Sequence, residues 1–326
     1  MRALTFHEHG GPEVFRVERL PDPEPSEGEV VIAVKAFGIN RAETYMRAGS
    51  WPQAMKVSGI ECVGEVLADP TRELDVGTPV AALMGGMGRV IDGSYAERTR
   101  VRRANVVPID RCGLGWAELA AIPESYATAW QALFGNLRLA RGQSLVVRGA
   151  TSALGQAAVN LAADAGIRVI ATTRREDRRS MLREIGAGET LIEHGTAARD
   201  VRAILPDGVD AVLDIVGNQV FLDSLAMARP GGRVCQVGFL GGTAPIAAFD
   251  PLRDMPVGVE FSLFGSFAFG EPGFSLDAVP LARIVARCAE GRYRACPERI
   301  FRFEDIADAH RLMESNEACG KIVMVI

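Results

Sequence analysis

The sequence predicts an α/β protein in which a doubly wound parallel sheet accompanies a second, β-rich domain. From about Ser125, short apolar runs alternate with segments of helical spacing, an order typical of parallel strands joined by crossover helices. Upstream of it, apolar or alternating runs separated by Pro and Gly clusters predict strands. Beyond about Ala268, two helical segments lead to a last apolar run. We therefore expect residues 123–267 to form the parallel-sheet domain, inserted into a β-rich domain of residues 1–122 and 268–326.

Each element follows from its own stretch of sequence. In the β-rich domain, we expect strands in EVVIAVKAFGI, VGEVLA, TPVAAL and SYAERTRV. In the inserted domain, the strands SLVVRG, RVIAT, TLIEH, DAVLDIVG and GRVCQVGF alternate with helical segments, the first of which begins at Ala153. The run VEFSLFGSFAF is predicted to be a long apolar edge strand. The segments LDAVPLARIVARCAEG and FEDIADAHRLMES are predicted helices, and GKIVMVI is the closing strand.

Composition restricts the class of partner and the compartment. The net charge of −5 gives no electrostatic reason to expect nucleic acid or a membrane surface as the main ligand. The N-terminus lacks the apolar core of a signal peptide, and no uncharged apolar run is long enough to span a bilayer. The six cysteines are scattered without a C-x-x-C pair, which is typical of buried free thiols. We therefore expect a cytoplasmic protein.

The segment VRGATSALGQ predicts a phosphate-binding turn between a strand and a helix. Backbone N–H groups at a helix N-terminus favour a bound phosphate, and Gly149 permits the turn. Gly155 lets helix and strand pack closely. At Ser152 a Cβ could crowd a pyrophosphate, but the small hydroxyl could instead donate to it. A ligand-free turn is the alternative, and the βαβ context favours a dinucleotide. The predicted contacts in this turn are Gly149, Thr151, Ser152, Ala153 and Leu154.

The end of the second strand of this domain indicates which dinucleotide binds. An NAD site would place Asp or Glu there to accept a hydrogen bond from the ribose 2′-hydroxyl. Here Thr173 is followed by Arg174, and Arg178 lies one turn later. Because guanidinium groups pair with phosphate, a 2′-phosphate and hence NADPH is expected. The alternative is a solvated basic start of the next helix.

Several motifs in one order carry a resemblance to a known family. These are FHEHGGPEV, GINRAETYMRAG, SGIECVGEV, DGSYAE, ATAW, RGATSALGQAAVNLA, VLDIVG, PGGRVCQVG and GKIVMVI. The chain resembles zinc-independent members of the medium-chain dehydrogenase/reductase superfamily, in the quinone oxidoreductase (zeta-crystallin-like) group, over essentially its whole length. The resemblance implies a Rossmann-type dinucleotide domain, a GroES-like catalytic domain and a homodimer. The predicted edge strand, which would otherwise invite uncontrolled pairing, agrees with a dimer.

The positions that hold zinc in other members of this superfamily carry different residues here. Where those members have a catalytic cysteine, this chain has Asn40 and Arg41, and Ile60 stands where they have the histidine of a Gly-His-Glu motif. Cys112 stands alone where they have four closely spaced cysteines. Since a zinc site needs about three protein ligands, we expect no metal.

The resemblance also implies roles for individual residues. Asn40 and Tyr45 match positions near the nicotinamide, where Tyr45 would donate a hydrogen bond or a proton to an enolate and Asn40 would orient the carboxamide or the acceptor carbonyl. Alternatively, Asn40 caps a turn and Tyr45 fills space. Glu43 and Arg47 are expected to form a structural or rim pair, and Lys321 to be exposed. Further cofactor contacts are implied at Thr128, His194, Val216, Gly238, Phe239, Leu240, Phe264, Gly265 and Ser266.

The expected activity is hydride transfer from NADPH to a quinone or an α,β-unsaturated carbonyl without zinc. One alternative is an enoyl-thioester reductase, in which Arg47, Arg89 and Arg98 would receive a phosphopantetheine arm. The other is a crystallin-like or interaction protein that binds NADPH with little turnover.

Overall fold

The chain forms two compact units, and it is described here by a computed structural model that covers residues 1–51 and 54–326. One unit comprises Met1–Ala127 and Phe267–Ile326, and the other comprises Thr128–Ser266. We call them the β-rich unit and the nucleotide unit. Within the described residues, no helix has the length and apolar character to cross a membrane.

The elements are named in chain order. The strands are β1 Arg2–Thr5, β2 Arg16–Arg19, β3 Glu29–Ile39, β4 Glu61–Ala68, β5 Pro79–Leu83, β6 Arg98–Arg102, β7 Val106–Pro108, β8 Ser144–Arg148, β9 Arg168–Thr173, β10 Glu189–Ile192, β11 Val209–Asp214, β12 Ala228–Gln236, β13 Glu260–Leu263, β14 Pro297–Arg302 and β15 Lys321–Val325. The α-helices are α1 Arg41–Arg47, α2 Trp116–Leu119, α3 Pro123–Trp130, α4 Ala153–Asp164, α5 Arg179–Glu184, α6 Ala198–Ile204, α7 Phe221–Met227, α8 Pro251–Asp254, α9 Leu281–Ala289 and α10 Ile306–Ser315. A π-helical turn, Gln131–Asn136, continues α3.

The nucleotide unit contains the predicted parallel sheet. Its strand order is β10-β9-β8-β11-β12-β13, and every neighbouring pair is parallel. The residues of β8 are buried because helices cover both faces of such a sheet. The order reverses between β8 and β11, and open α/β sheets bind ligands beyond the carboxyl ends of the strands at such a point. The predicted α/β class is confirmed.

The β-rich unit is built around the eleven-residue strand β3. Its main sheet has the order β14-β15-β3-β4-β5-β7, with β6 also paired to β3. Side chains such as Ile32, Phe37 and Met324 pack into one apolar core. Because β15 runs antiparallel to β3 with Ile322 opposite Ile39, residues near the two chain ends become neighbours.

Two predicted elements are shorter than expected. The prediction of a long apolar edge strand is wrong, since β13 covers only four residues. After it, Phe264 turns inward to 2% exposure, and Ser266–Ala268 form a 3-10 turn. The predicted helix from Leu276 instead begins at Leu281, after Pro280. A proline disfavours helical geometry in the residue before it, which explains the late start.

The cysteines are free thiols, as expected, but Cys112 and Cys296 are exposed rather than buried.

Four strands were not predicted: β1, β2, β7 and β14. The two sequences RVER and PERIFR, in β2 and β14, are largely charged and carry little apolar alternation, so only their pairing partners make them strands.

Candidate functional site

The turn after β8 has the predicted form, with a different role for its serine. Gly149 has a φ of +81°, a conformation that favours glycine. Ser152 is the N-cap of α4, and its Oγ accepts a hydrogen bond from the Gly155 N–H at 3.1 Å. The same hydroxyl donates to the Gly149 carbonyl at 2.8 Å. Its proton is therefore used within the turn, and we no longer expect the hydroxyl to donate to a phosphate.

The first turn of α4 provides the backbone donors. As the first helical residues, Ala153 and Leu154 have N–H groups that precede the first intrahelical hydrogen bond. A Cβ on Gly155 would lie 2.5 Å from the Gly149 carbonyl oxygen, so only glycine allows this approach of helix to turn. These features fit a bound phosphate.

Other predicted cofactor residues lie next to this turn. An ideal Cβ on Gly149 would be 3.3 Å from Leu240 Cδ1 and 3.6 Å from Val216 Cγ2. The Leu240 N–H donates to the Ile215 carbonyl at 3.1 Å, which fixes the segment after β12 beside the end of β11. Gly149, Val216 and Leu240 therefore meet at the carboxyl edge of the sheet.

The remaining predicted positions of the nucleotide unit are distributed along its edge. Gly238 and Phe239 are half-buried in the segment before Leu240. The Phe264 N–H donates to the Gln236 carbonyl at 3.0 Å, and its ring is buried. The other three predicted positions of this unit are the buried Thr128 in α3 and the half-buried Gly265 and Ser266 after β13.

The end of β9 carries an exposed guanidinium. Thr173 is buried, and Arg174 directly after it is exposed. The Glu193 N–H donates to the Thr173 carbonyl at 2.7 Å, so the exposed His194 lies beside the end of β9. Arg174 and His194 thus follow the ends of two neighbouring strands, β9 and β10.

Asp177, three residues after Arg174, is already paired. Arg175 forms two hydrogen bonds to the Asp177 carboxylate, at 3.0 and 2.7 Å, and Arg178 lies 3.8 Å from the same group. The pKa of Asp177 is lowered, with the Arg175 hydrogen bond as the main cause. Asp177 therefore does not substitute for the strand-end acid of an NAD site.

A buried ion cluster at the carboxyl edge was not predicted. Arg148 is fully buried and donates twice to Glu193 at 2.8 Å, and it lies 2.9 Å from Asp223. Burial alone would raise the pKa of Glu193, but the hydrogen bonds and charge of Arg148 lower it. This cluster holds the end of β10 in place, and an arginine at the end of an apolar strand was the only signal for it in the sequence.

In the β-rich unit, Asn40 lies between a cation and an anion. Its Oδ1 accepts a hydrogen bond from Lys321 Nζ at 2.5 Å, and its Nδ2 donates to Glu61 Oε1 at 3.0 Å. Asn40 is the N-cap residue of α1 and forms a capping box with Glu43, whose Oε2 accepts from the Asn40 N–H at 2.5 Å. The capping alternative is therefore met in part, and the amide of Asn40 also lies between two charged groups, which a cap alone does not require.

Lys321 is buried, so the expectation of an exposed lysine is wrong. Its ammonium lies 2.5 Å from Glu61 Oε1, and the two residues are 4% and 0% exposed. The second oxygen of Glu61 accepts from the Glu124 N–H at 2.9 Å. Burial lowers the pKa of Lys321, but Glu61 and Glu124 outweigh that effect and raise it. The ammonium consequently stays charged.

The expected pair of Glu43 and Arg47 does not form. Arg47 is buried and pairs with Glu314. Glu43 is fully buried, and its Oε1 accepts from the Ile60 N–H at 3.0 Å. Burial raises the pKa of Glu43 to about 8, against the opposing effects of two backbone N–H groups and Lys321.

Tyr45 lies on α1 and is half-buried. Burial raises the pKa of its hydroxyl, and Arg41 acts weakly in the other direction. The phenol therefore keeps its proton at neutral pH and is able to donate it.

The residues at the positions expected for zinc do not fit a metal ion. Ile60 is 2% exposed and has no ligating atom, and the Glu61 carboxylate is engaged by Lys321, Asn40 and the Glu124 N–H. In residues 1–51 and 54–326, no group of three His, Cys, Asp or Glu residues is arranged to hold a metal.

Two family models and a curated relative match this chain. The model for the alcohol dehydrogenase GroES-like domain matches residues 26–111, and the model for zinc-binding dehydrogenases matches residues 153–281. A quinone oxidoreductase of mouse (Mus musculus) is 30% identical over 254 residues, which are 74% of each chain. The chain belongs to the quinone oxidoreductase group of the medium-chain dehydrogenase/reductase superfamily. The GroES-like character expected of the β-rich unit is confirmed.

Other relatives show that this oxidoreductase architecture occurs in different proteins. A phenolphthiocerol/phthiocerol polyketide synthase of Mycobacterium tuberculosis is 28% identical over 337 residues, 99% of this chain. The match spans only 15% of the length of that synthase. A mycobacterial protein solved in complex with NADPH superposes with a TM-score of 0.89 at 25% identity, over 100% of both chains. The family to which this chain belongs is one of oxidoreductases.

Proposed function

We propose that this protein is an NADPH-dependent oxidoreductase that transfers hydride to a quinone or an α,β-unsaturated carbonyl without zinc. The observation that carries the proposal is the exposed Arg174 at the end of β9, where an NAD site would have a carboxylate. The mouse relative is named a quinone oxidoreductase, and the mycobacterial relative was solved with NADPH.

The nucleotide unit supports the choice of cofactor. The pyrophosphate would accept hydrogen bonds from the Ala153 and Leu154 N–H groups at the start of α4. The 2′-phosphate would pair with Arg174, with His194 beside it. Glu193, the carboxylate next to His194, is held by Arg148 and is not free to accept from a ribose hydroxyl.

The β-rich unit supplies the groups for the acceptor. When bound, the reduced nicotinamide supplies a hydride. As the acceptor carbon gains this electron pair, the conjugated double bond shifts and its electrons move to the carbonyl oxygen. Asn40 donates a hydrogen bond to that oxygen, which stabilises the negative charge. The Tyr45 hydroxyl gives its proton to the enolate carbon, which balances the reduction of an enone.

We propose that the reaction needs no zinc. Ile60 cannot ligate a metal, and the ammonium of Lys321 already neutralises the Glu61 carboxylate. The protein as purified is expected to contain much less than one zinc per chain by elemental analysis. Stoichiometric zinc would contradict this part of the proposal.

An enoyl-thioester reductase is the second candidate, because the chain matches part of a polyketide synthase. The three arginines considered for a phosphopantetheine arm are engaged in other contacts. Arg47 pairs with Glu314, Arg98 pairs with Asp22, and Arg89 stacks on the Phe267 ring at 4.7 Å. These contacts disfavour the second candidate.

We further propose a cytoplasmic homodimer. The outer edge of β13 has no strand partner within the sheet of the described residues, and its side chains Phe261 and Leu263 are 40% and 57% exposed. Pairing with a second copy of the same edge would cover both the apolar side chains and the unpaired backbone groups.

Binding titrations with NADPH and NADH test the cofactor. The protein is expected to bind NADPH at least ten-fold more tightly, and Arg174→Ala should lose most of that preference with little effect on NADH. Arg183→Ala, which removes an exposed arginine from α5, is the matched control and should leave both affinities unchanged. Equal affinity of the unmodified protein for the two cofactors would refute NADPH selectivity.

Steady-state rates with NADPH test the acceptor. Quinones and enones are expected to be reduced faster than enoyl-thioesters. Faster reduction of enoyl-thioesters would favour the second candidate. Tight NADPH binding without turnover of any of the three classes would favour the crystallin-like alternative.

A further inference from the structure

We propose that Lys321 is a positioning residue for Asn40. It fixes the amide so that one N–H of Asn40 remains to meet the carbonyl oxygen of the acceptor. The proposal deepens the function above and rests on it. It starts from a lysine that the expected reaction does not use.

The first step is the orientation of the amide. The ammonium of Lys321 donates a hydrogen bond to Oδ1 of Asn40, and Nδ2 of Asn40 donates one to the Glu61 carboxylate. A rotation by 180° about the last side-chain bond would place the NH₂ group against the ammonium and the oxygen against the carboxylate. Both contacts would then be repulsive in a buried environment, where charges interact strongly. The two charges together therefore select one of the two orientations.

The second step concerns the hydrogen-bonding capacity that remains. An amide nitrogen carries two N–H groups. One N–H of Asn40 is used by Glu61, and within residues 1–51 and 54–326 the other is left without an acceptor. Asn40 is half-buried rather than enclosed. The ammonium on Oδ1 draws electron density from the amide, which makes the remaining N–H a stronger donor to a developing negative charge.

The third step concerns the location of the lysine. Burying a charged pair is expensive and contributes little net stability, so a buried pair is weakly explained by stability alone. The same sheet contains an ordinary Lys–Glu pair, Lys35 and Glu65, with 2.9 Å between Nζ and Oε2 and both side chains 38% exposed. Of these two pairs, only the one with Lys321 also holds an amide, that of Asn40. Asn40 is the N-cap residue of α1, the helix that carries Tyr45.

This arrangement selects a class of acceptor. A fixed N–H donor stabilises reductions in which charge accumulates on an oxygen, as in a quinone or a conjugated carbonyl. It gives no advantage to an alkene without a carbonyl. The inference assigns specificity for the carbonyl oxygen to the pair of Asn40 and Lys321.

A double-mutant cycle tests whether Lys321 acts through Asn40. Lys321→Met is expected to lower kcat/KM for a quinone at least ten-fold, mainly through kcat, while the NADPH dissociation constant changes by less than three-fold. In the Asn40→Ala background, the same substitution should lower kcat/KM by less than three-fold. Lys35→Met is the matched control and should have no effect. Equal losses in both backgrounds would overturn the positioning role and leave the proposed function standing.

Lys321→Met leaves the Glu61 charge buried without its cation, which could unfold the protein. A second variant therefore controls for misfolding. Lys321→Met combined with Glu61→Gln removes both charges, and it should lower kcat/KM for the quinone at least ten-fold in the same way, again only when Asn40 is present. If it retains full activity, the inference is wrong.

A readout without turnover separates the inference from the proposed function. The side-chain NH₂ signals of Asn40, assigned by their loss in Asn40→Asp, should shift in the NMR spectrum of the Lys321/Glu61 variant and not in that of Lys35→Met. If the unmodified protein binds no NADPH and reduces no acceptor, the proposed function fails. Unshifted signals would instead refute the positioning of Asn40 by Lys321.

Discussion

At the scale of single residues, the start of α1 concentrates groups whose protonation matters. Glu43 is fully buried, and burial raises its pKa to about 8. The neighbouring Lys321 and Tyr95 have raised pKa values, whereas burial lowers the pKa of His310 to about 3. Near neutral pH, Glu43 is therefore the group in this set whose charge changes.

Glu43 predicts a particular dependence of stability on pH. Its pKa is higher in the folded protein than the ordinary value of 4.5, so its contribution is fully present below about pH 4.5 and is lost as pH rises through about 8. The free energy of unfolding of Glu43→Gln, minus that of the unmodified protein, should rise by about 3 kcal/mol from pH 5 to pH 8, because the glutamine does not ionise. Urea unfolding at several pH values measures this difference. A constant difference across that range would show that Glu43 is ionised when folded.

Tyr45 predicts a difference between two classes of acceptor. Its hydroxyl is protonated because burial raises its pKa, and only the enone needs a proton at carbon. Tyr45→Phe should lower kcat for an enone about 100-fold and kcat for a quinone by less than three-fold. Rates measured with saturating NADPH test this. Equal losses for the two acceptors would remove Tyr45 as the proton donor.

At the scale of elements, the turn from β8 into α4 shows how a serine is accommodated among glycines. The Ser152 hydroxyl accepts from the Gly155 N–H and donates to the Gly149 carbonyl, so its side chain stabilises the turn. The close approach depends on Gly155 instead, because a Cβ there would lie 2.5 Å from a backbone oxygen that cannot move cheaply.

Gly155→Ala should therefore displace the start of α4. We expect a loss of stability of roughly 2 to 4 kcal/mol and at least a ten-fold weaker affinity for NADPH, since overpacked sites must shift the backbone. Gly188→Ala is the control, because a Cβ there would lie 3.6 Å from the nearest atom, at an ordinary contact distance. Thermal unfolding and NADPH titration of the two variants give the comparison. Similar behaviour of both would mean that the helix tolerates the extra carbon.

At the scale of the whole molecule, the exposed edge of β13 predicts the oligomeric state. Sedimentation should give a mass of twice the 34.9 kDa of one chain. Leu263→Lys places a charge on the 57% exposed edge residue and should yield monomers at micromolar concentration. Ile300→Lys changes a comparably exposed residue of β14, at the edge of the other sheet, and should leave the dimer intact. A monomeric unmodified protein would refute the dimer.

Prediction from the sequence succeeded where the signal was local. The start of α4 at Ala153 and the bounds of β3 follow from a glycine turn and an apolar run, and the structure has both at the expected residues. The edge strand β13 was predicted too long, because an apolar run does not show where the chain turns into the core, as it does at Phe264.

The sequence by itself determined the alternation of strands and helices, the glycine turn before α4, and the arginine after β9, where an NAD site would have an acid. These depend on residues close together in the chain. Only the tertiary structure decided that Lys321 is buried and that it holds Asn40 against Glu61. Those three residues lie on separate segments, and the pairing of β15 with β3 and of β3 with β4 brings them together. A buried lysine has no local pattern of its own, because its burial depends on the acidic partners that the fold supplies.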